Sequence, residues 1–382
     1  MGDTGAGGGD PGKLSSGASV STPGHVVVCG AGVVGASVAY FLARRGVRVT
    51  VVERSGVACA ASGKSGGFLA LDWCDGSLLG PLARASFALH AELARELGTD
   101  YGYRRMETFM LAARERGGRL GDHRVSAPAW LDAEATVIDA LGTVETTAQV
   151  DPARFTAALV GAAEARGATL RLGVVEGVLR RGGAARGVTV DGAAVEADAV
   201  VLAMGPWTGA TDLPLPRVQG LKGYSVTLAA AGLPAHALFV DYRTADGRRL
   251  EPEIFPRPGG EVYVCGMADP APLPDSPDAV QVNEEACAVL ARAAGRVSTR
   301  LAAARITRRQ ACYRPVTDDG LPLIGPVPGV AGAFVATGHG PWGMLNAPAT
   351  GRALAELIVD GAASSVDLRP FDPARLAPAR GR

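Results

Sequence analysis

No stretch of this chain reaches the roughly 18 consecutive apolar residues that span a bilayer, so no integral membrane segment is expected. Charge of one sign is missing too: Lys+Arg and Asp+Glu stand at 38 each, leaving nothing to draw nucleic acid or an anionic surface. Nucleic acid is therefore excluded as a partner. The six cysteines (Cys29, Cys59, Cys74, Cys265, Cys287, Cys312) contain no CxxC pair, which excludes a zinc ribbon and a disulfide scaffold. No metal-ligand cluster and no Ser/His/Asp grouping stands out. Residues 1–24 are rich in Gly, Ser, Thr and Asp, with Lys13 their only basic side chain. They lack both the apolar core of a signal peptide and the Arg-rich pattern of a transit peptide. They read as a disordered leader, and the scattered cysteines suit a reducing, cytoplasmic setting.

What is present is a foldable chain. Apolar residues make up 47% and charged residues 20% of 382 residues, enough to bury a sizeable core in two domains. Val26–Cys29 is a short β-branched run suited to a buried parallel strand. Val33 to Arg45 then carries apolar residues at helical spacing, with Gly46 just past its end. A second apolar strand, Val47 to Val52, ends in Glu53, completing a βαβ unit. Further helices are expected over Ser86–Leu97, from Asp151-Pro152 to about Arg166, over Ala279–Val297 and over Gly343–Val359. Strands are expected in Gly173–Val190, Ala199–Ala203, the stretch from about Gly220 to Gly266, and Ala333–Thr337. Parallel-type strands at both ends and antiparallel-type strands between them imply a discontinuous α/β (α+β overall) architecture. Residues 25–80, 145–220 and 310–382 would form a Rossmann-like dinucleotide domain. Residues 81–144 and 221–309 would form an inserted substrate domain on a mixed, largely antiparallel sheet.

Gly30-Ala31-Gly32-Val33-Val34-Gly35 is a GxGxxG between a strand and a helix. The first glycine permits the tight turn, and the second lets a pyrophosphate approach the backbone. The third lets helix and strand pack closely, with phosphates on the helix N-terminus. Glu53, eighteen residues after Gly35, stands where an acidic side chain accepts ribose hydroxyl hydrogen bonds. This fingerprint does not separate FAD from NAD. An ionised Glu53 argues against NADP, a point that the neighbouring Arg54 blurs.

Two further segments decide the cofactor. They are Ala60-Ala61-Ser62-Gly63-Lys64-Ser65-Gly66-Gly67-Phe68, and Cys312-Tyr313-Arg314-Pro315 with the following Gly338-His339-Gly340-Pro341-Trp342-Gly343-Met344-Leu345. Together these resemble the D-amino acid oxidase superfamily, particularly its glycine oxidase and sarcosine oxidase branches, over nearly all of the chain from His25. The Ser-Gly-Lys and Gly-His-Gly-Pro-Trp-Gly signatures are most similar to a eukaryotic branch. The resemblance implies FAD, an amine or amino-acid-like substrate, and hydride transfer to flavin N5. It implies that Ser62, Lys64, Gly66, Gly67 and Phe68 line the flavin ring and pyrophosphate, and that Arg54 lies in the cofactor site beside Glu53. Val175 would lie near the adenine and Gly205 near the ribose. His339, Gly340, Gly343, Met344 and Leu345 would pass the pyrimidine edge.

Arg314 matches the arginine that grips the substrate carboxylate in glycine oxidase-like enzymes; its bland reading is a surface or interdomain ion pair. Where those sequences carry a second arginine, this chain has Pro341-Trp342. Trp342 is either an aromatic wall for the substrate or a packed core indole. Cys312 aligns with the cysteine that sarcosine oxidase-like enzymes bond to the flavin; its alternative is a small buried hydrophobe with FAD held non-covalently. Arg257, Tyr263, Lys222 and Tyr224 are placed on the substrate sheet with their facing open. His90 and His123 read as structural or solvated. Two other functions stay open: an NAD-dependent dehydrogenase, and a flavin-holding regulatory or interaction protein.

Overall fold

A computed structural model of the chain describes residues 22–379. The expected leader lies outside these residues, apart from positions 22–24. The first sheet has six strands, in spatial order Leu323–Pro326, Ala333–Thr337, Ala199–Leu202, His25–Cys29, Arg48–Glu53 and Thr169–Leu172. All neighbours run parallel except the outermost Leu323–Pro326. The strands His25–Cys29 and Ala199–Leu202 are buried at every position, as a sheet covered on both faces requires. Val26 and Val28 face a layer of helices, Val33–Arg44, Gly80–Glu96, Pro152–Glu164 and Gly343–Asp360. Val27 and Cys29 face the antiparallel meander Val175–Arg181, Ala184–Val190 and Ala193–Glu196.

The helix ends follow their residues. Asp151 Oδ1 accepts from the Arg154 amide at 3.0 Å, with Pro152 in the first turn, so the cap and the proline both favour a start here. Gly46 takes φ +77° immediately after the first helix. The helix expected over Ala279–Val297 begins instead at Glu284. Asn283 caps it by accepting from the Ala286 amide at 3.1 Å, and the preceding Pro277–Ala279 forms a separate 3₁₀ turn.

The second large sheet orders Ile306–Thr317, Val218–Ala229, Glu261–Asp269, Glu253–Pro256, His236–Arg243, Glu107–Arg114 and Thr136–Gly142, with the short Arg249–Leu250 added to one strand. Only the pairing of His236–Arg243 with Glu107–Arg114 is parallel. Strand alternation gives this sheet two apolar faces. One packs Ile254, Val262 and Val264 on Cys287 and Leu290 of the helix Glu284–Gly295. The other carries Phe255, Tyr263 and Cys265 and turns towards Phe68 of the first unit.

The packing departs from the expected segment boundaries in two places. The helix Gly80–Glu96, expected with the substrate part, buries Leu82, Phe87 and Leu93 in the core under the parallel sheet. The strands Val218–Ala229 and Ile306–Thr317 run unbroken across the boundaries at 220 and 310 and lie wholly in the eight-stranded sheet. The reason is local: a β-strand pairs as a unit, so a boundary inside one has no packing basis.

Candidate active site

The strand His25–Cys29 ends in the glycine turn. Gly30 has φ +104°, and a Cβ there would stand 2.6 Å from the Ala203 carbonyl oxygen. A Cβ on Gly35 would stand 2.0 Å from the Gly30 carbonyl oxygen, so helix and strand touch through bare backbone. Gly32 has no side chain of its own to cap the helix, so the leading amides look to other segments or to an occupant. Two side chains dress the turn. Ser62 Oγ accepts from the Val33 amide at 2.9 Å. Glu53, buried at the end of the neighbouring strand, accepts from the Ala31 amide at 2.8 Å and from the Ser55 amide at 3.0 Å.

From this turn a cavity of about 560 Å³ runs to the eight-stranded sheet. Every site residue expected from the sequence lines it except Gly35 and Leu345. Gly35 is spent on helix–strand contact, and the Leu345 side chain belongs to the buried helical core. Arg54 lines the Glu53 end, where its guanidinium donates to the Asp275 carbonyl. The loop Ser62–Gly67 is pinned to the second sheet. Lys64 Nζ donates to the Ala311 carbonyl at 3.3 Å, the Tyr263 hydroxyl to the Lys64 carbonyl at 2.8 Å, and Arg257 to the Ser65 carbonyl at 2.9 Å. Tyr263 and Tyr224 line the cavity; Arg257 and Lys222 do not. Arg257 pairs with Glu261 at 3.3 Å, and the Lys222 ammonium lies 5.2 Å from the Tyr224 ring centre. His90 and His123 are structural: His90 Nε2 meets the Met344 carbonyl at 3.0 Å, and His123 Nδ1 accepts from the Val137 amide at 3.0 Å.

The end away from Glu53 is aromatic. Phe68 stacks on Phe255 at 5.6 Å and meets Trp73 and Phe239 at 5.0 and 5.2 Å. Trp342 closes edge-on against Trp73 at 6.5 Å, so it is both a cavity wall and part of a packed cluster. Into this end come Arg314 and Glu253. Arg314 lines the cavity and makes no ion pair among the described residues, neither the surface nor the interdomain pairing of its bland reading. Burial pushes the Glu253 carboxyl up, and Arg314 pulls it partly back. Burial likewise raises the Cys312 thiol against the opposing pull of Arg314 and Lys64. His339 is buried with both ring nitrogens unpartnered, and desolvation lowers its pKa to about 4.

Trp73, Phe239, Glu253 and Phe255 escaped the sequence reading. Which of Glu253 and Phe255 or Ile254 and Pro256 meet the cavity depends on pairing with Phe239 and Cys265 in distant strands.

Among known proteins, the profile of the DAO family, described as FAD dependent oxidoreductase, matches residues 25–357. A Schizosaccharomyces pombe protein named only as an oxidoreductase is 31% identical over 378 residues, covering 91% of this chain and 97% of its own. The glycine oxidase of Geobacillus kaustophilus is 30% identical over 376 residues, covering 92% and 96%. The crystal structure of a glycine oxidase from Geobacillus kaustophilus superposes with a TM-score of 0.75 at 27% identity, covering 92% of this chain and 98% of that one. With a glycine turn, an acidic strand end and a cavity reaching the mixed sheet, the chain belongs to the DAO family of FAD-dependent oxidoreductases.

Proposed function

We propose that this enzyme oxidises an amine or amino acid at the aromatic end of its cavity, with Arg314 as the carboxylate anchor. The observation that carries this reading is the unpaired Arg314 guanidinium in the same cavity as the glycine turn. A half-buried cation without an ion-pair partner is costly, and its planar fork suits a carboxylate.

The residues present fit FAD. The helix N-terminus at Gly32, with no capping side chain from Gly32 itself, and the bare backbone at Gly30 and Gly32 suit a pyrophosphate. Glu53 and Arg54 would hold the ribose end, with Val175 and Gly205 beside it. The loop Ser62–Phe68 and the turn His339–Met344 would flank the ring system. The orphaned ring nitrogens of His339 call for a polar occupant of the cavity. Bound there, FAD supplies a ring that accepts a hydride from the substrate carbon. The burial that raises the Cys312 thiol disfavours the thiolate that bond formation needs, which supports a non-covalently held cofactor. Acid precipitation should leave the yellow colour in the supernatant; a coloured pellet contradicts this.

The chain's own part is orientation, dryness and charge. Arg314 fixes the carboxylate. Phe68, Trp73, Phe239, Phe255 and Trp342 exclude water and hold the carbon skeleton. The helix Gly343–Asp360 opens beside the cavity with no side-chain cap, offering its positive end to developing negative charge. Packing suggests a domain division in which 22–106 and 143–217 join 318–379, and the eight-stranded sheet with its helices forms the substrate part. The free cysteines suit a cytosolic setting, and no helix among the described residues is long and apolar enough to cross a membrane.

The test is an anaerobic panel of amines and amino acids watched for flavin bleaching. At least one should bleach the wild type, and Arg314→Leu should raise the KM for carboxylate-bearing substrates on the order of a hundredfold, matching the strength of a charge-assisted bidentate contact. A panel that never bleaches a fully loaded protein refutes the reading.

A further inference from the structure

The cavity face of the eight-stranded sheet carries one acidic side chain that the oxidation reading leaves unused. Glu253 is paired across the sheet with Phe239 on one side and Cys265 on the other, so the three share a face with Phe255 and Tyr263. Cys265 Sγ donates to Glu253 Oε2 at 3.5 Å, which leaves Oε1 free of protein donors among the described residues. Arg314 reaches the same space from the sheet edge. Its guanidinium lies over Gly223, where a Cβ would come within 3.2 Å of Nη2; only a bare backbone leaves it that room. Glu253 stands two strands further across the sheet from Gly223, about 10 Å of lateral backbone spacing. The two side chains point into one cavity from its two sides without pairing. A carboxylate and a guanidinium held apart in an apolar cleft are a template for a molecule carrying the opposite charges in the opposite order.

We propose that Glu253 receives the substrate's amino group: it holds the ammonium among Phe239 and Phe255 while Arg314 holds the carboxylate, and it then takes the ammonium proton. This deepens, and rests on, the proposed amine oxidation. The aromatic neighbours favour a cation at that point. In the proton transfer one N–H bond of the ammonium breaks and one O–H bond forms on Glu253. The nitrogen keeps its electron pair as a free amine, the form that can release a hydride from its carbon, and nothing is oxidised or reduced in that step. The raised affinity of the half-buried Glu253 carboxyl for protons suits it to this task, while an arriving ammonium would stabilise its charged form. The other ionisable groups nearest to it are Arg314, Cys265, Tyr263 and Cys312, with Lys64 beside Cys312. Burial makes Tyr263, Cys265 and Cys312 hold their protons more tightly, which leaves Glu253 as the carboxyl group in this set.

The experiment uses the FAD-loaded full chain and two readouts. Spectral titration of the flavin gives binding of glycine and N-methylglycine, with acetate as the matching carboxylate that lacks an amine. Glu253→Gln, which keeps the shape and an acceptor for Cys265, should weaken both amino acids tenfold or more and leave acetate within twofold. Arg314→Leu should weaken all three. Anaerobic reduction rates give the second readout. In Glu253→Gln they should be slow near neutrality and climb as pH approaches the amine's own pKa, whereas the wild type levels off earlier; Glu253→Asp should fall between them. Flavin content of each variant checks that the fold survives. Equal loss of amino acids and acetate, or an unmoved pH profile, overturns the assignment. Amino acids that bind with the stated dependence on Glu253 but never bleach the flavin leave the assignment standing and refute the oxidation reading instead.

Discussion

At the scale of single residues, Glu53 does two jobs that a spacing argument treats as one. Besides standing at the strand end expected of a ribose acceptor, it satisfies the Ala31 and Ser55 amides. Removing it leaves buried donors unpaired, at about 1–3 kcal/mol each. Glu53→Ala should therefore lower FAD affinity at least tenfold, read as flavin lost on gel filtration. Glu53→Gln, whose amide oxygen can still accept, should lose less. Two histidines carry a second prediction. His90 and His339 are fully enclosed, and burial lowers each from 6.5 to about 4. Folded, they stay neutral through the range in which the unfolded chain already binds a proton. Their contribution is thus fully present above about pH 6.5 and is lost as pH falls towards 4. The flavin-free protein should melt at a clearly lower temperature at pH 5 than at pH 7. Replacing His90 with Asn should shrink that difference; an unchanged difference would mean that carboxylates alone set the acid limit.

At the scale of elements, the helix Gly343–Asp360 shows a repair between segments far apart in sequence. Pro348 lies inside it and has no N–H, so the Met344 carbonyl loses its helical donor. His90, from the helix Gly80–Glu96, supplies one at 3.0 Å and reaches the Leu345 carbonyl at 3.2 Å, while Ser86 Oγ accepts from the Ala349 amide at 3.1 Å. His90→Leu should cost about 1–3 kcal/mol, by leaving a buried acceptor unpaired. Pro348→Ala in that background should recover part of the loss, since residue 348 then offers its own N–H to Met344. A double-mutant cycle on melting temperature reads the coupling, and additivity would deny it. These contacts also mark where the sequence stopped being legible. Elements with local signatures could be read directly: the glycine turn, Asp151-Pro152, Gly46 and the fully apolar strands. Residues whose meaning comes from distant pairing could not. His90 stood alone in the sequence because its partner carbonyls lie on another helix. Glu253 and Phe239 were hidden because strand register, not spacing, turns them to the cavity. Gly35 and Leu345 sat inside the right motif, yet their side of the backbone is spent on packing.

At the scale of the whole molecule, the cavity lies between two separately packed cores, one around the parallel sheet and one around the eight-stranded sheet. Direct ties between the two parts are both aromatic, where Phe68 and Trp73 meet Phe239 and Phe255, and polar. Tyr263 and Arg257 reach the loop Ser62–Gly67, and the Trp207 indole donates to the Pro274 carbonyl at 2.7 Å. The segment carrying Pro272 and Pro274 leaves the second sheet and crosses to the Glu53 end, where Ser55 Oγ donates to Asp278 at 2.6 Å. An occupant touching both walls adds to these ties, and its binding energy appears as stability of the folded state. At a hundredfold excess over Kd that gain is about 2.7 kcal/mol, worth a few degrees in a chain of this size. FAD titrated into the flavin-free protein should raise the melting temperature and bring any separate transitions of the two parts together. NAD should do neither, because its nicotinamide lacks the tricyclic ring that would reach from the glycine turn to Phe68 and Trp342. A melting temperature that responds to NAD as strongly as to FAD would mean that the far half of the cavity contributes nothing to cofactor choice, and that the glycine turn alone sets it.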